Sequence, residues 1–318
     1  MATHLVLGKG PVGTSLATLL GEQGHDVVVV SRTGGAAGTR VARSGPFRHV
    51  AADVTDTAAL TKLARGAEAV HCCVNPPYHR WPELWPALQT ASLDAAEAVG
   101  AVHVMAGNLY PYGAGSGVMR EDAPDATTET KGRVRAALWA QALERHEAGR
   151  VRAVEVRASD YFGPGATGDA HAGRRLLGPV LSGGVLRPVG DPDQPHSWTY
   201  LPDFVAAMAL AVTTPEAWGR VVLAPTAGPQ TYRELATGLA EAAGRPVPRI
   251  SPLPAAMLSA VSVAVPAMRE VKRVSYQFTE PFVVDSSASQ RMLGLDPTPW
   301  PDALARTVQW WQAQAEAA

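Results

Sequence analysis

The sequence predicts an α/β fold in which a doubly wound parallel sheet is joined to a smaller, mostly C-terminal substrate domain. Apolar runs alternate with segments of helical apolar spacing through the first half of the 318 residues, as in parallel strands linked by crossover helices. A glycine-rich turn follows the first apolar run, and the alternation ends near Gly163. We therefore expect one domain over 1–165, to which elements near 199–224 return, and an interleaved substrate-binding region over 166–318.

The periodicity of apolar residues gives the elements of the first domain in order. The predicted strands are His4–Leu7, Asp26–Val30, Phe47–Val50, Ala69–Val74, Val102–Ala106 and Arg152–Arg157. The predicted helices are Val12–Glu22, Thr57–Ala64, Trp81–Val99 and Gly132–Ala148. The most apolar window, Leu253 to Met268, contains two prolines and is short for a membrane span, so we expect a buried or pocket-lining helix.

Composition excludes several classes of function. The chain is 46% hydrophobic and 18% charged, which is typical of a globular protein with a substantial core. Its formal net charge of -1 provides no general attraction for nucleic acid or anionic membranes. Nine histidines and two adjacent cysteines show no metal-ligand spacing, and no secretory signal opens the chain. We expect a cytoplasmic protein with a small-molecule substrate, no metal, no nucleic acid and no membrane partner.

The glycine turn points to a nucleotide. Gly8, Gly10 and Gly13 form G-x-G-x-x-G between a predicted strand and a predicted helix, which is the context of a Rossmann-type dinucleotide site. The first two glycines allow a tight turn close to a pyrophosphate, and the third lets the helix pack on the strand. We expect Lys9 and Val12 to contribute to the same site. Glycine turns also occur in proteins that bind no ligand.

The end of the second predicted strand indicates which dinucleotide binds. An acidic residue at this position bonds the ribose of NAD, whereas this chain has Ser31 and Arg32 there. Arginine offers a fork of donors suited to a phosphate, so NADP is favoured over NAD, unless Arg32 is merely solvated. Asp53 and Val54, after the next strand, are candidates for adenine contacts, although Asp53 is equally suited to capping a helix.

Short motifs in a fixed order resemble an extended or atypical short-chain dehydrogenase/reductase of the NAD(P)-dependent epimerase/dehydratase family. The resemblance covers nearly the whole chain. Besides the glycine turn it rests on the segments Asn108-Leu109-Tyr110-Pro111-Tyr112-Gly113, Glu121-Asp122-Ala123-Pro124, Tyr161-Phe162-Gly163-Pro164-Gly165, Tyr200-Leu201-Pro202-Asp203 and Leu293-Gly294-Leu295-Asp296-Pro297.

The resemblance implies a Tyr-x-x-x-Lys pair in which the lysine holds the nicotinamide ribose and the tyrosine exchanges a proton. Lys131 matches the lysine, but Thr127 stands in place of the tyrosine and Asn108 in place of the family's serine. An aliphatic hydroxyl is a far weaker acid than a phenol, whose reference pKa is about 10. The usual proton relay is therefore absent or relocated.

Two phenols are candidates for the relocated proton donor. Tyr110 lies two residues beyond Asn108, and Tyr78 follows the fourth predicted strand together with Asn75. Both loops should border the nicotinamide, and the amide of Asn108 could polarise a carbonyl. Packing is the competing interpretation for Tyr110. Asp160 and Tyr161, at the end of the sixth predicted strand, are expected cofactor neighbours.

A second departure concerns the substrate. Relatives that use nucleotide sugars carry an arginine for the diphosphate where this chain has His196. Losing that guanidinium favours a less charged, ring-bearing substrate, and a histidine can act as general acid or base near neutral pH. A purely structural histidine is equally consistent with the sequence. Arg174 and Arg175 are candidates for facing a substrate anion.

These observations favour an NADP(H)-dependent oxidoreductase acting on a carbonyl or alcohol of a small metabolite with a non-standard proton donor. One alternative is a redox-neutral epimerase, isomerase or dehydratase that keeps NAD(P) bound. A non-catalytic NADP-sensing protein is another, because the family's tyrosine and serine are missing. The resemblance also implies a homodimer through late helices of the nucleotide domain.

Overall fold

The computed structural model describes residues 1–33, 41–167 and 170–316. The strands in chain order are β1 (Thr3–Leu7), β2 (Asp26–Ser31), β3 (Val41–Ser44), β4 (Phe47–Ala51), β5 (Ala67–Cys72), β6 (Val102–Asn108), β7 (Val118–Met119), β8 (Arg152–Ala158), β9 (Tyr161–Phe162), β10 (Val185–Leu186), β11 (Thr199–Tyr200), β12 (Arg220–Leu223), β13 (Arg249–Ile250) and β14 (Val283–Val284). The helices are α1 (Pro11–Glu22), α2 (Thr57–Leu63), α3 (Trp81–Val99), α4 (Thr130–Glu147), α5 (Arg174–Ser182), α6 (Leu201–Thr213), α7 (Tyr232–Ala242), α8 (Ala255–Ala264), α9 (Pro266–Arg273), α10 (Ser287–Leu293) and α11 (Trp300–Glu316).

The central sheet has the strand order β12-β8-β6-β5-β1-β2-β4-β3. All of its neighbours pair in parallel except β3 and β4. The predicted Rossmann-type fold is confirmed, and every predicted strand and helix of the first domain is present within two residues of its predicted bounds. The antiparallel edge strand β3 was not predicted. The division into a domain of 1–165 and a region of 166–318 stays a prediction.

Helices cover both faces of the sheet. On one face α1 and α6 pack with the strands around Leu16, Leu20 and Phe204. On the other face α2, α3 and α4 bury Trp81, Trp85 and their neighbours. Strands covered on both faces read as continuous apolar runs, which explains why Val27–Val30 carries no alternation.

Strand order fixes where a ligand can bind. The chain leaves β1 toward β2 and β4 on one side and later returns to build β5, β6, β8 and β12 on the other. The crevice beyond the carboxyl ends of β1 and β5 is therefore the point at which the winding reverses, and in open α/β sheets ligands bind at such a point. The glycine turn follows β1, and the two phenol-bearing loops follow β5 and β6.

The apolar window over 253–268 departs from the expected single helix. It forms two helices, α8 and α9, that meet at Val265 and Pro266. Leu253, Leu258 and Met268 do line a cleft, but Met257 and Val263 are 55% and 75% exposed, so the segment lines a pocket without being buried. Within the described residues, no helix combines the length and apolarity needed to cross a bilayer.

Candidate active site

The glycine turn has the shape that a pyrophosphate requires. Gly8 has a φ of 107°, and a Cβ there would lie 2.7 Å from the carbonyl oxygen of Cys73. A Cβ on Gly13 would overlap the Gly8 carbonyl oxygen, whereas Gly10 faces open space. Pro11 opens α1, so the first-turn amides of a helix point at that space. The turn therefore fits the phosphates of a dinucleotide.

Donors converge at the end of β2. The Lys9 Nζ donates a 2.6 Å hydrogen bond to the Thr33 hydroxyl, which places the lysine beside Arg32 and Ser31. The buried Ser31 hydroxyl finds no hydrogen-bond partner within residues 1–33, 41–167 and 170–316. Asp53 is exposed, and its Oδ1 accepts the Thr55 backbone and hydroxyl protons at 2.9 and 2.8 Å. Asp53 therefore closes a local turn and does not cap α2. The cap of α2 is Asp56, whose Oδ1 accepts the Ala59 amide proton at 3.0 Å, while buried Val54 packs in the core.

Thr127 plays a structural part in the loop before α4. Its hydroxyl accepts the Glu129 amide proton at 3.2 Å, and its backbone amide donates to the Pro111 carbonyl at 3.0 Å. The side chain fills the space above Gly132, where a Cβ would collide with the Thr127 hydroxyl. Thr127 therefore holds the loop in place and does not stand in for the family's tyrosine.

Tyr78 and Tyr110 come together in the crevice beyond the carboxyl ends of β5 and β6. Their hydroxyls form a short hydrogen bond, and the Gln277 side chain also bonds the Tyr110 hydroxyl. The Asn108 Oδ1 accepts the Tyr110 amide proton at 3.2 Å, so Asn108 shapes the loop that carries the phenol. The indole of Trp81 lies 4.8 Å from the Tyr78 ring.

The environment of the two phenols distinguishes their roles. Burial raises the pKa of Tyr110 to about 12, while hydrogen bonds from Tyr78 and Gln277 pull it back down. Burial and Tyr110 hold the pKa of Tyr78 well above its usual value. Either hydroxyl can donate the proton of the shared hydrogen bond. Tyr110 is the phenol that also bonds the Gln277 side chain.

Lys131 lies beside this pair in the first turn of α4. Its side chain is 4% exposed, its Nζ is 4.4 Å from the centroid of the Tyr78 ring, and it forms an ion pair with Glu270 of α9. Glu270 also accepts from Arg273 at 2.8 Å. The lysine is thus where the resemblance implies, but its ammonium is already satisfied by a carboxylate from the C-terminal region.

His196 and Asp160 form a second buried pair. The His196 Nε2 lies 3.1 Å from the Asp160 Oδ2, and its Nδ1 lies 3.1 Å from the Gln277 carbonyl oxygen. Although burial would raise the pKa of Asp160, His171 and His196 hold it below its usual value. Phe278 and Phe282 stack on the imidazole at 5.4 and 5.2 Å. Both nitrogens of His196 are engaged, so it positions Asp160 and is poorly placed as a freely exchanging acid or base.

The structure brings together Lys131, Tyr78, Tyr110, Asp160 and His196. The residues predicted to bind the nucleotide lie at the turn after β1 and at the end of β2, namely Gly8, Lys9, Gly10, Val12, Gly13, Ser31 and Arg32. Asn75 follows β5, and Tyr161 follows β8.

Sequence reasoning missed Glu270 and Gln277. The sequence does mark Glu270 as unusual, because it is the first acidic residue after an uncharged stretch that begins at Ile250. Gln277 lies in a short 3-10 turn and carries none.

Comparison with known proteins identifies the family of this chain. Residues 4–223 match the model of the NAD dependent epimerase/dehydratase family, which is more than two thirds of the chain. The chain belongs to this family. The expectation of an enzyme of the epimerase/dehydratase type is thereby confirmed. The chain is also 26% identical over 266 residues to the epimerase family protein SDR39U1 of Bos taurus, covering 80% of this chain and 84% of that protein.

Solved structures of this kind share the fold at low sequence identity. The UDP-glucose 4-epimerase of Thermotoga maritima, solved with UDP-glucose, superposes with a TM-score of 0.77 at 18% identity over 98% of this chain and 99% of that one. The dTDP-glucose 4,6-dehydratase DesIV of Streptomyces venezuelae, solved with NAD, gives 0.75 at 20% identity over 100% and 98%.

Proposed function

We propose that this protein is an NADP(H)-dependent oxidoreductase that reduces a carbonyl, or oxidises the corresponding alcohol, of a small metabolite, with Tyr110 as the proton donor. The observation that carries the proposal is the Tyr110 hydroxyl, which shares a short hydrogen bond with Tyr78 and is bonded by the Gln277 side chain, while the Lys131 Nζ lies 4.4 Å from the centroid of the Tyr78 ring. Such an arrangement stabilises the phenolate that remains after a proton has been given away.

Each group has a part in the reaction. A bound nicotinamide supplies or accepts the hydride. The glycine turn holds the pyrophosphate, and Lys131 turns from Glu270 toward the ribose hydroxyls. Tyr110 gives its proton to the substrate oxygen as the carbonyl carbon gains a hydride. The Tyr110 phenolate then regains a proton from Tyr78, and solvent replaces the proton that Tyr78 gives up. In the opposite direction the alcohol proton passes to Tyr110.

The cofactor preference rests on charge at the end of β2. Arg32, Lys9 and the Ser31 and Thr33 hydroxyls offer donors to a 2′-phosphate. An NAD-specific site instead places a carboxylate there, which would repel that phosphate. This chain has no carboxylate between Val27 and Thr33. We therefore propose NADP(H), although the dehydratase DesIV was solved with NAD.

Titration calorimetry tests the cofactor assignment. NADPH is expected to bind at least tenfold more tightly than NADH, and Arg32→Glu should abolish that preference because it removes the cation and adds a repelling charge. Arg65→Glu, an exposed change at the end of α2, is the matched control and should leave both affinities unchanged. Tighter binding of NADH by the unmodified protein would refute the Arg32 argument.

A panel of carbonyl compounds tests the activity itself. Oxidation of NADPH, followed by its absorbance, should accompany reduction of an accepted compound mole for mole. If the protein binds NADPH tightly but no compound of the panel causes NADPH to be consumed, that result would favour redox-neutral chemistry.

Redox-neutral epimerisation or dehydration is the second candidate, and one observation favours it beyond membership of the family. The buried Asp160 carboxylate faces the two phenols closely enough to raise the pKa of both, so it is placed to accept a proton from carbon. Protein purified with a nicotinamide already bound, and turnover with no net change in NADPH, would support this candidate.

A further inference from the structure

A cleft opens between the C-terminal segments beside the phenol pair. The cavity at its centre has a volume of about 120 Å³. The residues that line it come from α5, the loop before β11, α7, and the segment from Leu253 to Phe278. The cleft thus combines parts of the chain that are far apart in sequence.

The floor of the cleft touches the proposed catalytic groups. Gln277 and His196 both line it. The Gln277 side chain bonds the Tyr110 hydroxyl, and the His196 ring lies 3.1 Å from Asp160. Tyr78 and Tyr110 do not line the cleft themselves, so a ligand on this floor lies one side chain away from the phenols, against Gln277 and His196.

The walls of the cleft are apolar. Leu258, Met268 and Val271 of α8 and α9 line the cleft together with Trp198, Tyr232 and Phe278. Leu258, Met268 and Val271 offer no hydrogen-bond partner to a sugar hydroxyl, and each hydroxyl buried unpaired against them costs about 1–3 kcal/mol. The walls favour a ligand with an apolar body.

The rim of the cleft carries positive charge. Arg175 and Arg187 both line it, and neither forms an ion pair with any residue that the structure describes. Asp191 also lines the cleft, and its carboxylate accepts hydrogen bonds from the Asp193 amide and the Gln194 side chain, each at 3.0 Å, so the two arginines and this aspartate together leave one excess positive charge. His196 is engaged by Asp160 and Gln277. The two guanidinium groups are therefore the groups placed to hold an anion.

We propose that the cleft binds a carbonyl compound with an apolar, ring-sized body and one anionic group, and that it excludes nucleotide diphosphates. Arg175 and Arg187 hold the anion at the rim, while the apolar walls hold the ring above Gln277. That this compound is the one reduced rests on the function proposed above, whereas its binding does not.

Two matched probes test the class of ligand on the full chain. The first is 2-naphthoate, and the second is 2-naphthamide, which has the same ring system without the charge. We expect 2-naphthoate to bind about tenfold more tightly than 2-naphthamide, and the double substitution Arg175→Gln, Arg187→Gln to remove that difference. Arg65→Gln, remote from the cleft, should preserve it. UDP is expected to bind far more weakly than 2-naphthoate.

Several results would overturn the proposal. These are equal affinity for the two naphthalene probes in the unmodified protein, absence of binding by both, or tighter binding of UDP that the double substitution removes. Leu258→Asn should weaken both naphthalene probes alike, because it removes wall surface and leaves the charge in place.

Measuring NADPH binding on the same samples separates the two proposals. Naphthoate binding without NADPH binding would leave the cleft assignment standing and the proposed oxidoreductase refuted. NADPH binding with no naphthoate binding would refute the cleft assignment and leave the proposed oxidoreductase standing.

Discussion

Glu270 of α9 forms an ion pair with Lys131 of α4 across 139 residues of sequence. The lysine side chain is 4% exposed and the glutamate side chain 11% exposed, so the contact is shielded from water. Under the function proposed above, a ribose bound by Lys131 shares its ammonium group with Glu270 or displaces that carboxylate. The α8–α9 segment would then compete with the cofactor for the same ammonium group.

Replacing Glu270 with glutamine should lower stability and strengthen cofactor binding at once. Removing one partner of a buried pair leaves the other charge uncompensated, at a cost of about 3–5 kcal/mol, so Tm of the free protein falls. The ribose no longer competes with a carboxylate, so NADPH binds more tightly and raises Tm more than in the unmodified chain. Calorimetry and thermal unfolding measure the two effects. Arg273→Gln, which breaks only the exposed contact to Glu270, is the control, and NADPH affinity that is unchanged or lower in Glu270→Gln would contradict the prediction.

Removing the Tyr110 hydroxyl should affect turnover more than removing that of Tyr78. Loss of a general acid lowers the rate by about 10²–10⁴-fold, so Tyr110→Phe is expected in that range with NADPH affinity preserved. Tyr78→Phe should cost less, because Tyr78 acts through Tyr110. Steady-state rates for both variants decide the matter, and a larger loss for Tyr78→Phe would exchange the two roles.

The pH profile of reduction follows from the raised pKa of Tyr110. Because burial raises that pKa to about 12, the phenol remains protonated, and able to donate, throughout the neutral and mildly alkaline range. The rate of reduction should therefore stay level from about pH 7 to pH 10, well above the range in which an unperturbed histidine titrates. Oxidation, which needs the phenolate, should rise over the same interval. A fall in the reduction rate centred near pH 7 would assign the proton to another group.

Three buried histidines should make the fold sensitive to acid. Burial lowers the pKa of His4 to about 4 and of His103 to about 3, and it holds that of His71 well below its usual value. The unfolded chain then takes up protons first as pH falls below about 6.5, so stability is constant above that pH and is lost below it. Each histidine contributes a slope of up to about 1.4 kcal/mol per pH unit.

Urea unfolding between pH 7 and pH 5 measures that slope. The His103 Nε2 is bonded to the Ser92 hydroxyl at 2.9 Å, and glutamine can replace that bond without a titrating ring. His103→Gln should therefore flatten the acid slope. An unchanged slope in this variant would show that His103 does not contribute.

Gly132 should tolerate no side chain. A Cβ there would overlap the Thr127 hydroxyl and the Tyr110 carbonyl oxygen, so Gly132→Ala should destabilise the fold by about 1–3 kcal/mol and lower turnover by moving Tyr110. Gly178 in α5 has nothing within 4 Å of the equivalent position. Gly178→Ala should be neutral or stabilising by about 0.5–1 kcal/mol. Equal stability of the two variants would contradict the packing described for the Thr127 loop.

The elements of the central sheet followed from the sequence because their signals are local. Continuous apolar runs such as Val27–Val30 and the glycines after β1 report on residues a few positions away. The edge strand β3 was not predicted from the sequence because it is short, polar and antiparallel. The sequence predicted one helix over the 253–268 window. The structure divides this window into α8 and α9, which meet at Val265 and Pro266.

The sequence by itself determined the doubly wound sheet, the glycine turn after β1 and the loss of the family's tyrosine at Thr127. Only the tertiary structure decided that Tyr78 meets Tyr110, that Glu270 covers Lys131 and that His196 is committed to Asp160. Periodicity and turn chemistry record the interactions of neighbouring residues. The chemistry of this site arises from contacts between loops that only the closed sheet brings together.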